Sequence, residues 1–178
     1  LRNGILAEVD RAIAARQEGR PARVALKMNS LVDQKSIEKL YEASRAGVQV
    51  DINVRGICCL VPGIPGVSEN IRVRSIVGRF LEHSRIYAFE HSAEQAVYIG
   101  SADLMPRNLD TRVELVTPVL DPVLRDDLLD TLDRCFADDT NAWELGSDGR
   151  WTRRHPVDGA EPRSVQREVF ARQIELAH

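Results

Sequence analysis

The first third of the chain alternates between helical and extended patterns, and this alternation constrains the fold more than any other feature. Residues 3–19 place apolar side chains on one helical face and end at a glycine. Residues 23–28 then have the pattern of a short strand, residues 34–46 of a second helix and residues 48–54 of an alternating strand. Strands that are joined by helices usually pair in parallel. The sequence therefore predicts an α/β fold with a mixed, largely parallel sheet that is flanked by helices.

The remainder of the chain predicts further strands and one well-marked helix. Residues 71–82 indicate a strand followed by a short helix, and residues 84–89 and 95–100 indicate the two strands of a hairpin. Residues 112–120 have the pattern of another strand. A helix is expected over residues 121–137, because an aspartate N-cap is followed by proline at the first helical position.

The length of the chain, 178 residues, is that of one ordinary domain, which can bury a core without disulfides or metal. Because the chain opens inside a helical pattern, we expect residues 1–20 to be a helix that joins from a preceding domain. Residues 21–140 are expected to form the domain itself. The pattern then degrades, so we expect residues 141–178 to be a tail, with a terminal helix over residues 163–177 left open.

The charge pattern excludes nucleic acid as a general partner and points to a smaller anion. The formal net charge is −3, which gives no overall attraction to nucleic acid or to an anionic membrane surface. The charges are nevertheless segregated, with acidic residues concentrated between positions 121 and 139. Arginines recur through the middle of the chain, at positions 55, 72, 74, 79, 85, 107 and 112. A locally basic face on an acidic domain suggests a small or linear anion as the ligand.

The cysteines and the hydropathy pattern indicate a reducing compartment. Cys58, Cys59 and Cys135 have no metal-ligand spacing, and the neighbours Cys58 and Cys59 are poorly placed to bridge each other. The sequence shows neither a signal peptide nor an apolar run long enough to span a bilayer. We therefore expect a cytoplasmic location, with association with a membrane left open.

His83 and Arg85 are the leading candidates for chemistry, because they stand two residues apart at the start of an extended segment. Residues two apart in a strand face the same side, so an imidazole and a cation can address one point in space. Imidazole can accept a phosphoryl group or exchange a proton with a leaving phosphate, and arginine stabilises the spread charge. One strand later, Gly100 and Ser101 can offer a hydroxyl and backbone N–H groups to phosphate oxygens.

Two further arginines are candidates for the same site, and each has a structural alternative. Arg55 follows a strand and precedes a Gly- and Pro-rich loop, at the sheet edge where α/β proteins bind ligands, or it is a solvated strand end. Arg112 enters a strand, where it can instead pair with Glu114. The sequence has no P-loop, no dinucleotide fingerprint and no nucleophile elbow, so a nucleotide would need a different phosphate cradle.

Five ordered motifs resemble the C-terminal portion of type 1 polyphosphate kinase, from the first helix to about residue 140. In chain order they are Lys27-Met28-Asn29-Ser30-Leu31-Val32-Asp33, Asn53-Val54-Arg55-Gly56-Ile57-Cys58, Gly66-Val67-Ser68-Glu69-Asn70-Ile71, Phe80-Leu81-Glu82-His83-Ser84-Arg85 and the segment from Ser101 to Arg112. The resemblance implies an enzyme that transfers the terminal phosphate of ATP reversibly to polyphosphate, through a phosphohistidine and with Mg²⁺. It also implies that the chain is the second of two domains that each resemble half of a phospholipase D-like fold.

The resemblance further implies roles for single residues. Arg55 falls on the arginine of the family's R-G-x-C motif and His83 on the histidine of its L-E-H-x-R motif, and both contact nucleotide phosphates there. Arg112 matches an arginine of the same basic channel. The family's phosphorylated histidine and its metal contacts belong to the preceding domain, and no motif here matches them. We therefore expect His83 to bind phosphate or to protonate the leaving group, and we expect no metal ligand in this chain.

The partners implied by the resemblance are ATP or ADP, polyphosphate and the preceding domain of a full-length protein that forms a homo-oligomer. Mg²⁺ would be bound mainly by that preceding domain. Because the phosphoacceptor lies elsewhere, the chain by itself is expected not to turn over.

Two other functions are open at this point. His83-x-Arg85-x4-Glu90 followed by Gly100-Ser101-x-Asp103 is similar to the phospholipase D-type pattern H-x-K-x4-D and G-S-x-N, with conservative replacements. This similarity allows a small phosphodiesterase that dimerises to pair two His83 motifs. The missing phosphoacceptor allows instead a non-catalytic module that binds polyanions or supports oligomerisation.

Overall fold

One eight-stranded sheet with helices on both faces organises the computed structural model, which describes residues 1–91 and 95–176. The helices are α1 (Arg2–Gln17), α2 (Gln34–Arg45), α3 (Pro122–Ala137) and α4 (Val165–Leu176). The strands are β1 (Arg23–Met28), β2 (Gln49–Val54), β3 (Ile71–Ile76), β4 (Ile86–Glu90), β5 (Ala96–Gly100), β6 (Val116–Pro118), β7 (Ala142–Leu145) and β8 (Trp151–Arg153). Their spatial order is β6-β5-β4-β1-β2-β3-β7-β8, so β1 and β2 lie at the centre.

The pairing of the strands confirms a mixed α/β fold with flanking helices, but the expectation of a largely parallel sheet is wrong. β1 with β2 and β2 with β3 pair in parallel. The other five pairings among the described strands are antiparallel. The physical reason is the connections, since α2 provides a crossover only between β1 and β2. Strands such as β4, β5 and β6 follow one another without an intervening α-helix, and short connections join antiparallel neighbours.

Capping residues begin and end the helices close to where the sequence predicts. α2 begins after Asp33, whose carboxylate accepts the Ser36 N–H at 3.0 Å. It ends before Gly47, whose φ of +84° is a conformation that favours glycine. α3 begins after Asp121, whose side chain accepts two N–H groups of the first turn at 2.8 and 3.2 Å. Capping therefore fixes both of these helix starts.

Two segments between strands differ from the sequence prediction. Residues 77–85, all of them described, hold no helix, and both backbone groups of Phe80 are bonded to the side chain of Gln166. The strand expected over residues 112–120 is confined to Val116–Pro118. Before it, the chain makes a π-helical turn at Arg107–Thr111, which leaves only three residues to pair with β5.

The segment after Asn141, expected to be a tail, completes the sheet. β7 pairs with β3 through Ala142 opposite Ile76, and β8 pairs with β7. Strands of three and four residues among Gly, Asp and Arg give too short a pattern to recognise in the sequence. The terminal helix that the sequence left open is present as α4, and α1 packs into the main core through Val9 and Ala12.

The two faces of the sheet carry different residues under different helices. One face, called the aliphatic face, packs against α1 and α2 and includes Leu26, Ile52, Val73 and Phe89. The opposite face, called the charged face, lies under α3 and α4 and includes Lys27, Asp51, Asn53 and Arg74. Between positions 1–91 and 95–176, the structure holds no helix that is both long and apolar enough to cross a membrane.

Candidate functional site

The predicted site residues gather at one end of the sheet. Arg55 follows the carboxyl end of β2, and Ser101 follows that of β5. His83 and Arg85 precede β4, which runs antiparallel to its neighbours β1 and β5, so they lie at the same end. Sheet topology therefore brings together residues that are up to 46 positions apart in the sequence.

A cavity of about 400 Å³ holds four of the five predicted residues. Its lining consists of His83, Arg85, Ser101, Asp103, Met105, Arg107, Asn108, Arg112 and Glu114. Three arginines and a histidine face two carboxylates there, which favours an anionic ligand. This cavity is called the His83 pocket below.

His83 and Arg85 lie in the loop before β4 rather than on the strand itself, yet their side chains meet. The Nη1 atom of Arg85 lies 3.2 Å from Nδ1 of His83 and donates to the His83 carbonyl at 3.0 Å. The same Nη1 atom lies 3.4 Å from Nε2 of His83, so the guanidinium contacts both nitrogens of the ring. Arg85 therefore packs against the imidazole of His83 and restricts its orientation.

A hydrogen-bond network through the buried Asp103 fixes the side chain of Arg85. Asp103 accepts from Nε and Nη2 of Arg85, both at 3.2 Å, and from the backbone N–H of Asn29 at 2.7 Å. The side-chain oxygen of Asn29 in turn accepts from Nε of Arg55 at 2.9 Å. One chain of hydrogen bonds thus links Arg85 to Arg55, and paired, hydrogen-bonded arginines of this kind hold a fixed orientation.

Arg55 is not part of the His83 pocket. It lines a neighbouring cavity of about 390 Å³ together with Val77, Gly78, Arg79 and the following residues up to Glu82. Residues 77–85 therefore form the wall between the two cavities. Arg55 therefore lies on one side of this wall and His83 on the other.

Glu114 organises the opposite side of the His83 pocket. Its carboxylate accepts a hydrogen bond from the Ser101 hydroxyl and one from Nδ2 of Asn108 at 2.6 Å, and it lies 3.5 Å from Nε of Arg112. The hydrogen bond from Ser101, with those from Asn108 and the charge of Arg112, lowers the pKa of Glu114. The alternative partner that the sequence offered for Arg112 is therefore present.

Ser101 lies in the pocket, but its groups are engaged within the protein. Its hydroxyl donates to Glu114 and accepts the Leu115 N–H at 3.2 Å, and its own N–H donates to the Leu115 carbonyl at 2.9 Å. A phosphate contact from Ser101 would require a rearrangement of these bonds. The side chain of Arg112, by contrast, is 54% exposed, and its contact with Glu114 is a long one of 3.5 Å.

The residues of the site that the sequence reasoning did not select include Asn29, Asp103 and Glu114. Asn29 and Asp103 stand inside motifs quoted for the family resemblance, which is the signal that could have singled them out. Glu90, which occupies the acidic position of the phospholipase D-like pattern, lies at the far end of β4 and pairs with Arg23 at 3.2 Å. The structure thus separates Glu90 from His83.

The acidic groups of the site do not form a cage for Mg²⁺. Asp103 is occupied by Arg85 and Asn29, and Glu114 is occupied by three donors. In the part of the chain that the structure describes, no group of three His, Cys, Asp or Glu side chains could hold a metal ion. These residues do not fit Mg²⁺, which prefers unengaged oxygen ligands.

Comparison with known proteins identifies the family of this chain. The family model described as polyphosphate kinase C-terminal domain 2 matches residues 1–166. This chain belongs to that family. Polyphosphate kinase 1 from Chlorobaculum tepidum is 54% identical over 151 residues, which are 85% of this chain and 22% of the relative. The polyphosphate kinase of Thermosynechococcus vestitus is 47% identical over 174 residues, which are 98% of this chain and 24% of the relative.

Solved structures confirm the fold expected for the polyphosphate kinase family. The crystal structure of polyphosphate kinase from Porphyromonas gingivalis superposes with a TM-score of 0.94 at 39% identity, covering 98% of this chain and 27% of that one. Nuc from Salmonella typhimurium, a phospholipase D family member, superposes with a TM-score of 0.56 at 16% identity, covering 85% of this chain and 90% of that one. The phospholipase D-like fold is therefore confirmed, and the chain spans only part of its polyphosphate kinase relatives.

Proposed function

We propose that this chain forms the nucleotide-phosphate wall of a polyphosphate kinase active site, where the terminal phosphate of ATP is transferred reversibly to inorganic polyphosphate. The observation that carries the proposal is the hydrogen-bonded chain from Arg55 through Asn29 and Asp103 to Arg85 and His83. It holds two cations and an imidazole at one end of the sheet. Family membership of residues 1–166 supports the same function.

In the proposed reaction, a histidine outside this chain accepts the phosphoryl group. Its ring nitrogen forms a P–N bond as the bond from phosphorus to the leaving oxygen of ADP breaks, and a polyphosphate oxygen then displaces the histidine from phosphorus. Arg55 and Arg112 bind phosphate oxygens and stabilise the charge that spreads over them. His83, once protonated, donates its proton to the leaving phosphate or holds it by a hydrogen bond. Arg85 is the residue that orients the His83 ring.

We assign the remaining partners on the same basis. ATP or ADP and polyphosphate are the substrates, the preceding domain supplies the phosphoacceptor and the contacts to Mg²⁺, and the full-length protein is a homo-oligomer. A cytoplasmic location fits the three free cysteines. Burial raises the pKa of Cys58 to about 11 and that of Cys135 to about 12, so both remain unreactive thiols.

The proposal is tested by Arg55→Ala and His83→Ala in a full-length polyphosphate kinase that carries this domain. Each variant loses a phosphate contact, and about 2–4 kcal/mol of transition-state stabilisation corresponds to a loss of roughly 30- to 900-fold in kcat/KM. Phosphate transfer from ATP to polyphosphate is the measurement. Arg45→Ala and His155→Ala are matched controls, because both side chains are exposed and lie outside the two site cavities.

Near-normal polymer synthesis by both site variants would refute the assignment. The chain by itself offers a second test, since it should bind polyphosphate in a salt-sensitive way without turnover. If adding the preceding domain did not restore activity, a non-catalytic polyanion-binding module would be the better description. Phosphodiesterase activity of a dimer of this chain would favour the phospholipase D-like alternative.

A further inference from the structure

A glutamine of the last helix is hydrogen-bonded to the loop that carries His83. This loop, residues 77–85 between β3 and β4, is called the His83 loop. Gln166 of α4 is buried, and its side-chain oxygen accepts the Phe80 N–H at 3.1 Å. Its amide nitrogen donates to the Phe80 carbonyl at 2.8 Å and to Oε1 of Glu82 at 2.7 Å. The amide therefore pairs with both backbone groups of Phe80, as a neighbouring strand would.

Two further contacts hold the same side of the loop. Nζ of Lys27 lies 2.9 Å from Oε2 of Glu82 and donates to the Ser84 hydroxyl at 2.9 Å. The rings of Phe80 and Phe170 stack with centroids 6.2 Å apart. These contacts thus fall on every second residue of the loop, at positions 80, 82 and 84. His83 and Arg85 alternate with them and point toward the His83 pocket.

The approach of Gln166 also depends on a glycine. A Cβ atom at Gly78 would lie 2.8 Å from Cδ of Gln166, closer than real Cβ contacts. Any larger residue at this position would push the amide away from Phe80. The two residues therefore provide independent ways to disturb one contact.

α4 is itself fixed to the rest of the domain, so it can serve as a support. Asp138 at the end of α3 accepts the Val165 N–H at 2.9 Å, and Arg134 of α3 contacts Glu168 at 2.6 Å. Val165 packs with Ile76 and Phe136 in a core cluster. Gln166 is the next residue along this anchored first turn.

We propose that Gln166 is a positioning residue for phosphoryl transfer, which sets the His83 loop so that His83 and Arg85 face the substrate phosphates. The inference rests on the proposed function, because it concerns the same site. Gln166 does not line the His83 pocket, and it acts only through Phe80 and Glu82. Loss of its hydrogen bonds leaves Arg55 and Arg112 in place, because neither is on the loop, but lets the loop with His83 and Arg85 move.

The test uses Gln166→Met in the full-length enzyme, because methionine keeps the length of the side chain and removes its hydrogen bonds. Hydrogen exchange of the amides in residues 77–85 should rise roughly 10-fold, since the Phe80 N–H loses its acceptor. kcat should fall roughly 10- to 100-fold, because a small displacement of a reacting group is costly. KM for ATP should stay within about threefold, since Arg55 and Arg112 are not on the loop. Arg167→Met is the matched control, because Arg167 is the next residue of the same helix, is exposed and does not line the cavity between α4 and the His83 loop.

A double-variant cycle provides the second arm. Gly78→Ala should reproduce the loss of kcat, because its methyl group displaces the Gln166 amide. Added to Gln166→Ala, it should cause little further loss, because the displaced amide is already gone. Two fully additive losses would overturn the proposed contact.

The outcomes separate this inference from the proposed function. Unchanged loop exchange or full kcat in Gln166→Met, with His83→Ala inactive, would overturn the positioning role and leave the function intact. Increased hydrogen exchange throughout α3 and α4, with a rise in KM for ATP as large as the fall in kcat, would show a merely structural role. That result would also overturn the positioning role. Full activity of His83→Ala would instead refute the proposed function. Local loop exchange with a selective loss of kcat supports the inference.

Discussion

The aliphatic and charged faces of the same sheet both bury residues of the central strands but are stabilised in different ways. On the aliphatic face, Leu26 and Ile52 are fully buried and need only neighbours that fit their shape. On the charged face, Asp51 is also fully buried, and a buried charge needs partners. It has them, since Arg23 and Arg72 each donate to its carboxylate at 2.8 Å.

The difference shows which face is connected to the site. The aliphatic face is complete once α1 and α2 are packed, whereas Lys27 of the charged face finds its partners in Glu82 and Ser84 of the His83 loop. The buried charge of Lys27 needs polar partners, and these partners belong to the His83 loop. Lys27 therefore fixes the position of a segment that is distant in the sequence, which a buried leucine would not do. The aliphatic face thus supplies apolar packing, and the charged face supplies the polar contacts of Lys27 to the His83 loop.

The largest effect is expected from Leu26→Ala on the aliphatic face. Removing a fully buried leucine side chain loses its packing and leaves a cavity, at a cost of about 2–5 kcal/mol in the free energy of unfolding. Urea unfolding of the chain measures it. Leu120→Ala is the matched control, because that side chain is 80% exposed and its loss should change stability little. Equal losses of stability in the two variants would contradict the claim that buried side chains stabilise the aliphatic face through packing.

A smaller, pH-dependent effect is expected from Asp51→Asn on the charged face. Burial raises the pKa of Asp51, but the hydrogen bond from Arg72 and the charges of Arg23 and Arg72 outweigh it, so the pKa is lowered. The stabilisation is then complete above the unfolded pKa of about 3.9 and is lost as the pH falls through the folded pKa. At neutral pH, the variant should lose about 1.5–3 kcal/mol.

The pH dependence makes this test specific to a buried charge. The free energy of unfolding should decrease less steeply below about pH 4 in Asp51→Asn than in the unmodified chain. Asp148→Asn is the control, since Asp148 lies in a loop with a side chain that is 62% exposed. If the free energy of unfolding fell with acid as steeply in Asp51→Asn as in the unmodified chain, the stability of the charged face would not depend on this carboxylate.

The smallest effect is expected from Asp121→Ala at the start of α3, the helix that covers the charged face. The variant loses the hydrogen bonds to the first-turn N–H groups, which cost about 1 kcal/mol at a typical N-cap. Thermal unfolding measures the change, with Asp126→Ala in the helix interior as the control. A loss as large as that from Leu26→Ala would show that α3 contributes more to stability than the comparison of faces assigns to it.

Much of the fold follows from patterns within short stretches. The bounds predicted for β1, α2 and α3 agree closely with the structure, because caps and apolar periodicity act over a few residues. The largely parallel sheet was a wrong prediction, since the direction of pairing depends on where later strands insert. β4 pairs with β1, more than fifty residues earlier, and no local pattern records that choice.

The candidate site was likewise only partly predictable from the sequence. The sequence selects Arg55, His83, Arg85, Ser101 and Arg112, and the structure places all but Arg55 in one pocket and joins Arg55 to it through Asn29 and Asp103. Engagement of Ser101 by Glu114 was beyond the sequence, since it depends on how the turn after β5 meets the strand β6. Their roles in catalysis remain predictions for the variants described above.

By itself, the sequence determined the chemistry available to this protein, namely an imidazole, several arginines and the helix caps that begin α2 and α3. Tertiary structure alone decided which of these groups meet. Sheet topology brings the ends of β1, β2 and β5 to the start of β4, and buried polar groups then have to find partners across those elements. For that reason Gln166, unremarkable in the sequence, lies against the loop that carries His83.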